Sequence, residues 1–143
     1  MDPREFHKLA TQLTATDNPA ELRTAISRAY YAALNVSAEV LSPLIRLTKG
    51  PAAHGEIQKV LQNCGDQSVV AAGRNLENIH SRRIDADYRM TNAACENRMT
   101  VQATVAEAGA IIETLDRAFS APDALAIKDK IQKYWHEILR MPG

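Results

Sequence analysis

AISRAYYAALNVSAEVL, residues 25–41, decides how this chain is read. Leu22, Ile26, Ala29, Ala33, Val36 and Val40 recur at steps of four, three, four, three and four, the repeat of one face of an α-helix. A second stripe lies beside it: Arg28, Tyr31 and Asn35 share a face, and Tyr30 leans toward the apolar side. A cation, two phenols and a carboxamide in an apolar helix need partners wherever they are buried. Matching chemistry stands in NIHSRRIDADY, residues 78–88. The expectation is that these two helices pack together and that function lies along their seam. Tyr30 and Tyr31 should then be largely buried, and Arg28 or Arg83 should pair with Asp87 or Tyr88.

Working outward, Asp2, Pro3 and Glu5 announce a first helix that carries Phe6, Leu9 and Leu13 and ends near Thr14. Asp17-Asn18-Pro19 with Glu21 starts the central helix, and Ser42-Pro43 stops it near Leu41. After the loop at Lys49-Gly50-Pro51, a shorter helix is expected from about Ala53 to Asn63, closed by Gly65. A fourth runs from about Gln67 through Val69, Val70, Leu76 and Ile79 into the second marked stretch. Thr91 or Asn92 should open a long fifth helix with Val101, Val105, Ala108, Ile112, Leu115 and Phe119 in one stripe. Ser120, Pro122 and Asp123 start a last one carrying Ile127, Ile131, Tyr134 and Ile138. No run alternates with period two long enough to read as a strand. The fold class is all-α: an up-and-down antiparallel bundle of four to five helices with an additional C-terminal helix, in one domain over residues 1–143.

The totals agree. The 143 residues suit one core, and abundant alanine with sparse glycine and proline favours close-packed helices. Formal net charge is zero, so the chain as a whole is no electrostatic binder of nucleic acid, although a local basic patch is open to it. No apolar run approaches the ~20 residues that span a bilayer. The charged opening MDPREFHK has no signal-peptide core, and Cys64 and Cys95 lack any Cys-x-x-Cys spacing. A cytoplasmic protein with reduced thiols and no membrane association is expected.

Candidate chemistry is sparse. Glu77 and His80 have the Glu-x-x-His spacing of di-iron bundles, but no second pair exists, so a helix-surface pair is expected and no metal. His54 and Glu56 lack the Pro-Cys-x-x-Cys of zinc deaminases. No Gly-rich phosphate loop points to a nucleotide cofactor. The arginine-rich turn is more informative. Arg82, Arg83 and Arg89, with Arg28 from the facing helix, would gather positive charge at one end of the seam, partly neutralised by Asp85 and Asp87. It reads either as a structural ion-pair network, with Arg83 and Asp87 four apart, or as an anion site where arginine grips phosphate through two hydrogen bonds. The ligand-binding candidates are Arg28, Tyr31, Asn35 and Arg83.

SRAYYAALN, then HGEIQKVL, then a helix end RRIDADY, resembles in order three landmarks of the HEPN superfamily, carried by Ser27 to Ala32, by His54 and Ile57, and by Arg83, Ala86, Asp87 and Tyr88. The resemblance covers roughly residues 20–119. It implies a helical bundle, usually a homodimer, of toxin-antitoxin and defence loci, with RNA, a nucleotide or a nucleotidyltransferase-type antitoxin as partner. Val101, Val105, Ile112 and Trp135 offer apolar surface for a dimer.

Many such proteins are metal-independent ribonucleases that use an arginine followed a few residues later by histidine. Here Asp87 or Tyr88 stands where that histidine would fall, and Asn35 stands where relatives often carry histidine. Catalytic candidates are therefore Arg82, Arg83, Asp87, Tyr88 and His80. Neither a carboxylate nor a phenol matches proton transfer near neutral pH as an imidazole does. A binding or interaction module is the expectation, with an active ribonuclease toxin or an unrelated helical adaptor as alternatives.

Overall fold

Asn18 opens the central helix by accepting a hydrogen bond from the Glu21 backbone N–H at 3.1 Å, with Pro19 in the first turn. In a computed structural model that describes residues 1–139, that helix, α2, runs Pro19–Leu41 and ends at Ser42. Around it stand α1 (Arg4–Leu13), α3 (Ala52–Gln62), α4 (Gln67–Tyr88), α5 (Arg98–Ser120) and α6 (Ala124–Tyr134). Among the described residues every regular element is helical, and none is long and apolar enough to cross a membrane.

The helix α2 touches α1, α3, α4 and α5, so it is the centre of the bundle. Its stripe explains why. Leu22, Ala25, Ala29, Ala32, Ala33 and Val36 are completely buried, and the alanines let neighbouring helices approach closely. Tyr30 is also completely buried, whereas Tyr31 is half-buried. Leu61, Leu76, Ile79, Ile111, Leu115 and Ile131 close the core around them, each side chain contributing about 2 kcal/mol of apolar burial. Asp66 caps α4 by accepting from Val69 N–H at 3.0 Å. Gly73 sets the distance between α3 and α4: a Cβ there would sit 2.9 Å from Leu61 Cβ.

The link from α4 to α5 departs from expectation. Asn92 caps only a 3₁₀ turn, Ala93–Glu96, and α5 starts at Arg98 under a second cap, Asn97, whose side chain accepts from Thr100 N–H at 3.0 Å. Two caps five residues apart compete, and the extended backbone at Asn97 breaks the first run. Sequence reading also missed what holds this link. Arg23 is 8 % exposed, and its guanidinium donates to the carbonyls of Asp85, Ala86, Arg89, Met90 and Asn92 at 3.0–3.3 Å. It thereby satisfies the Ala86 and Met90 carbonyls, which accept no backbone N–H among the described residues, and adds a second donor to those of Asp85, Arg89 and Asn92. Glu96 balances its charge, 3.5 Å from Nε.

The residues proposed for a dimer face lie inside one chain instead. Val101 is completely buried, and Val105, Ile112 and Trp135 are 5 %, 7 % and 3 % exposed. A stripe of that regularity marks a core-facing helix as readily as an interface. Ile138, expected on the apolar side of the last helix, is 65 % exposed, because α6 ends at Tyr134 and a π turn over Trp135–Leu139 rotates the following residues.

Candidate functional site

Three helices contribute to one polar cluster. His80, Arg83 and Asp87 follow each other at i, i+3 and i+7 on α4, and His54 and Gln58 at i and i+4 on α3. Tyr30 and Tyr31 face both from α2. The Tyr30 ring stacks on His80, with centroids 4.8 Å apart and planes 8° apart. His54 lies 5.0 Å from His80 and 5.7 Å from Tyr30, and it meets Tyr31 edge-on at 6.3 Å.

Hydrogen bonding fixes the protons. The Tyr30 hydroxyl lies 2.6 Å from His54 Nδ1 and has no other hydrogen-bond partner among the described residues. Burial pushes its pKa upward, so the phenol stays protonated and must donate. His54 Nδ1 is therefore an acceptor, and its proton sits on Nε2. The Gln58 amide nitrogen, 3.0 Å from His80 Nδ1, donates to it, and this orientation of the amide, unlike a hydroxyl, holds the same tautomer only while the amide is not turned. Burial, then the neighbouring Arg83 charge, lowers the pKa of His54. Burial, then His54, then Arg83, lowers that of His80, against a smaller opposing pull from Glu77. Both imidazoles are neutral at neutral pH. Among the described residues neither Nε2 has a hydrogen-bond partner, and both side chains are half-buried, so each keeps an N–H for a ligand.

The cations sit on Tyr31. Arg83 donates from Nη2 to the Tyr31 hydroxyl at 2.8 Å, and its guanidinium lies 5.2 Å from the Tyr31 ring centre. Its Nε is 3.0 Å from Asp87 Oδ2, but the N–H is not aimed at that oxygen. The contact is ionic, and Nε is left as a buried donor without an acceptor among the described residues. Ser27 Oγ donates to the same carboxylate oxygen at 3.3 Å. The Arg28 guanidinium is held by the rings of Phe6 and Tyr31, at 5.1 and 5.2 Å, and has no hydrogen bond or ion pair among the described residues.

None of the protein-family models, curated proteins or solved structures compared with the chain matches it. Its site is accordingly read from its own geometry.

That geometry sorts the candidates. Tyr31, Arg83, Asp87 and His80 come together, Arg28 meets them through the Tyr31 ring, and Tyr88 joins at the rim, 69 % exposed with Arg83 5.6 Å from its ring centre. Arg82 does not join them. It faces α5, donating to Thr104 at 3.1 Å and Glu107 at 2.8 Å, because one step along α4 turns a side chain by about 100°. Arg89 pairs with Asp85 at 3.1 Å, outside the cluster. Asn35 is exposed and returns its amide to the Tyr31 carbonyl of its own helix at 2.7 Å. No aspartate holds Arg28. Glu77 is exposed and bonded to Gln62 at 3.0 Å, while its expected partner His80 turns to Gln58 and Tyr30. Sequence reasoning missed Gln58, and it used His54 only as a landmark. The one available signal was His54 and Gln58 sharing a helix face opposite Tyr30.

Proposed function

We propose that this chain is a helical binding module whose site at the meeting of α2, α3 and α4 takes an anionic group, the phosphate of an RNA or nucleotide. One observation carries this: the solvent-open groups of the cluster are almost all donors. They comprise Arg28, the free side of Arg83 and the Nε2–H of His54 and His80, against the carboxylate of Asp87. A donor-rich surface with two arginines suits phosphate oxygens. Tyr88 at the rim supplies an exposed ring for a base. The resemblance to the HEPN superfamily fits an RNA or nucleotide ligand, and on that resemblance alone the chain is also expected to form a homodimer.

The ribonuclease alternative gains from two histidines lying beside Arg83, which the order of residues in the chain did not foretell. It loses more from their tautomers. A general base needs a lone pair facing the substrate, and here both Nδ1 lone pairs are used inside the protein. The test is titration with a nucleoside monophosphate and with a single-stranded RNA. Arg28→Ala and Arg83→Ala should each weaken binding about tenfold or more, the worth of a charge-assisted hydrogen bond, whereas Arg82→Ala should leave it unchanged. Equal losses from Arg82→Ala and Arg83→Ala would overturn the assignment. Failure to bind either probe would favour a protein partner of the antitoxin type.

A further inference from the structure

We propose that the anion enters this site together with one proton, taken up by His80 through a half-turn of the Gln58 amide. The inference rests on the anion-binding function proposed above and adds its mode of regulation.

The geometry distinguishes the two histidines. For His54 to bind a proton at Nδ1, the Tyr30 hydroxyl would have to become an acceptor. Its own hydrogen would then have no partner in a fully buried position. His80 faces no such conflict. Its Nδ1 partner is a primary amide, which carries a donor and an acceptor on the same carbon. Rotating the Gln58 amide about its last bond replaces the nitrogen by the carbonyl oxygen, which accepts from a protonated Nδ1. Gln58 is nearly buried, so it stays in place to serve either state.

The surroundings of His80 set the balance. Tyr30 from α2 stacks on its ring and stays neutral, His54 from α3 lies 5.0 Å away, and Arg83 and Glu77 flank it on α4. Arg83 opposes a second positive charge in the empty site, and burial adds to that cost. An anion held by Arg83 and Arg28 reverses this balance, since an opposite charge nearby favours the protonated ring. The proton comes from solvent and resides on Nδ1, leaving the Nε2–H free to donate to the anion.

Linkage gives the sign. His80 binds its proton more weakly in the empty site than in the filled one, so affinity rises as pH falls through the filled-site pKa and levels off below the empty-site pKa. Sulfate is the probe, because it remains a dianion across the range and only the protein titrates. Sulfate affinity should rise by up to about tenfold per pH unit, the limit for one proton, and His80→Gln should abolish that slope. The His80 ring signal, identified by its loss in His80→Gln, should titrate at higher pH in sulfate-saturated protein than in free protein. Gln58→Glu, which fixes an acceptor beside Nδ1, should raise the free-protein titration of His80.

A pH-independent affinity, a slope that survives in His80→Gln, or an unmoved His80 titration would overturn the proton coupling and leave the anion site standing. Absence of sulfate binding at every pH would overturn both.

Discussion

Tyr30 and His54, 24 residues apart on different helices, share a 2.6 Å hydrogen bond that sets which nitrogen of the imidazole carries the proton. The bond couples the buried core to the polar cluster, because Tyr30 is completely buried and His54 only half. Truncation and deletion of the hydroxyl should therefore separate two effects. Tyr30→Ala should cost about 3–5 kcal/mol in urea denaturation, through the cavity it leaves. Tyr30→Phe should cost only about 1 kcal/mol, the net worth of one hydrogen bond, and should release His54 to titrate nearer its ordinary range. A Tyr30→Ala loss below about 0.5 kcal/mol would mean that the ring is not part of the core.

Arg23 should prove as costly to remove as a large core residue. Arg23→Met keeps the stem but strands the Ala86 and Met90 carbonyls, which have no backbone donor among the described residues, and takes a second donor from those of Asp85, Arg89 and Asn92. A loss of about 2–4 kcal/mol is expected, and amide exchange should accelerate first around residues 85–97. Uniform acceleration along the chain, or no loss at all, would show that Arg23 does not secure this link.

Stability should fall on mild acidification. His54 and His80 have pKa values below their ordinary 6.5 in the folded chain, so near and below that value the unfolded chain binds protons that the folded chain does not. Stability is therefore complete above about pH 6.5 and is lost progressively as pH drops through and below it. The window lies above that of the capping carboxylates, whose folded pKa values are depressed below 3.8, as for Asp66. Melting temperature against pH should flatten over this window in a His54→Gln, His80→Gln double variant. An unchanged profile would place the acid sensitivity elsewhere.

Incubation with RNA in EDTA should give little or no cleavage. Arg83 can stabilise charge on phosphate, but with Tyr30 and the Gln58 amide nitrogen both donating to Nδ1 neither histidine turns a lone pair outward, and a missing general base is worth about a hundred- to ten-thousand-fold in rate. Robust cleavage that disappears in Arg83→Ala and persists in Arg82→Ala would sink the binding-module proposal and establish the nuclease.

Light scattering decides the assembly. Since Val101, Val105, Ile112 and Trp135 are covered within one chain, a dimer has to form through other surface, and Tyr88, Met90 and Met99 are large exposed apolar side chains at and beside the α4–α5 link. A particle of 15.7 kDa at high concentration would remove the homodimer.

The sequence by itself determined the helices and their faces. Cap residues such as Asn18 and Asp66, and stripes such as Leu22 to Val36, act over one or two turns, so their consequences are written locally. It also determined that residues 25–41 and 78–88 belong together, because polar groups in apolar helices need partners, and the Arg83–Asp87 ion pair lies where that logic put it. Only the tertiary structure decided which neighbour faces which. Arg82 and Arg83 are adjacent in sequence yet end on different seams. His54 and His80 are 26 positions apart in the numbering yet lie 5.0 Å from each other. Arg23 looks like an ordinary surface cation until the end of α4 folds over it. The physical reason is the same in each case. Helix periodicity fixes a side chain's angle about its own axis, but its partner depends on how far neighbouring helices are rotated and shifted along each other. Those two quantities come from packing the whole core, through contacts such as Gly73 on Leu61, and no single stretch of chain contains them.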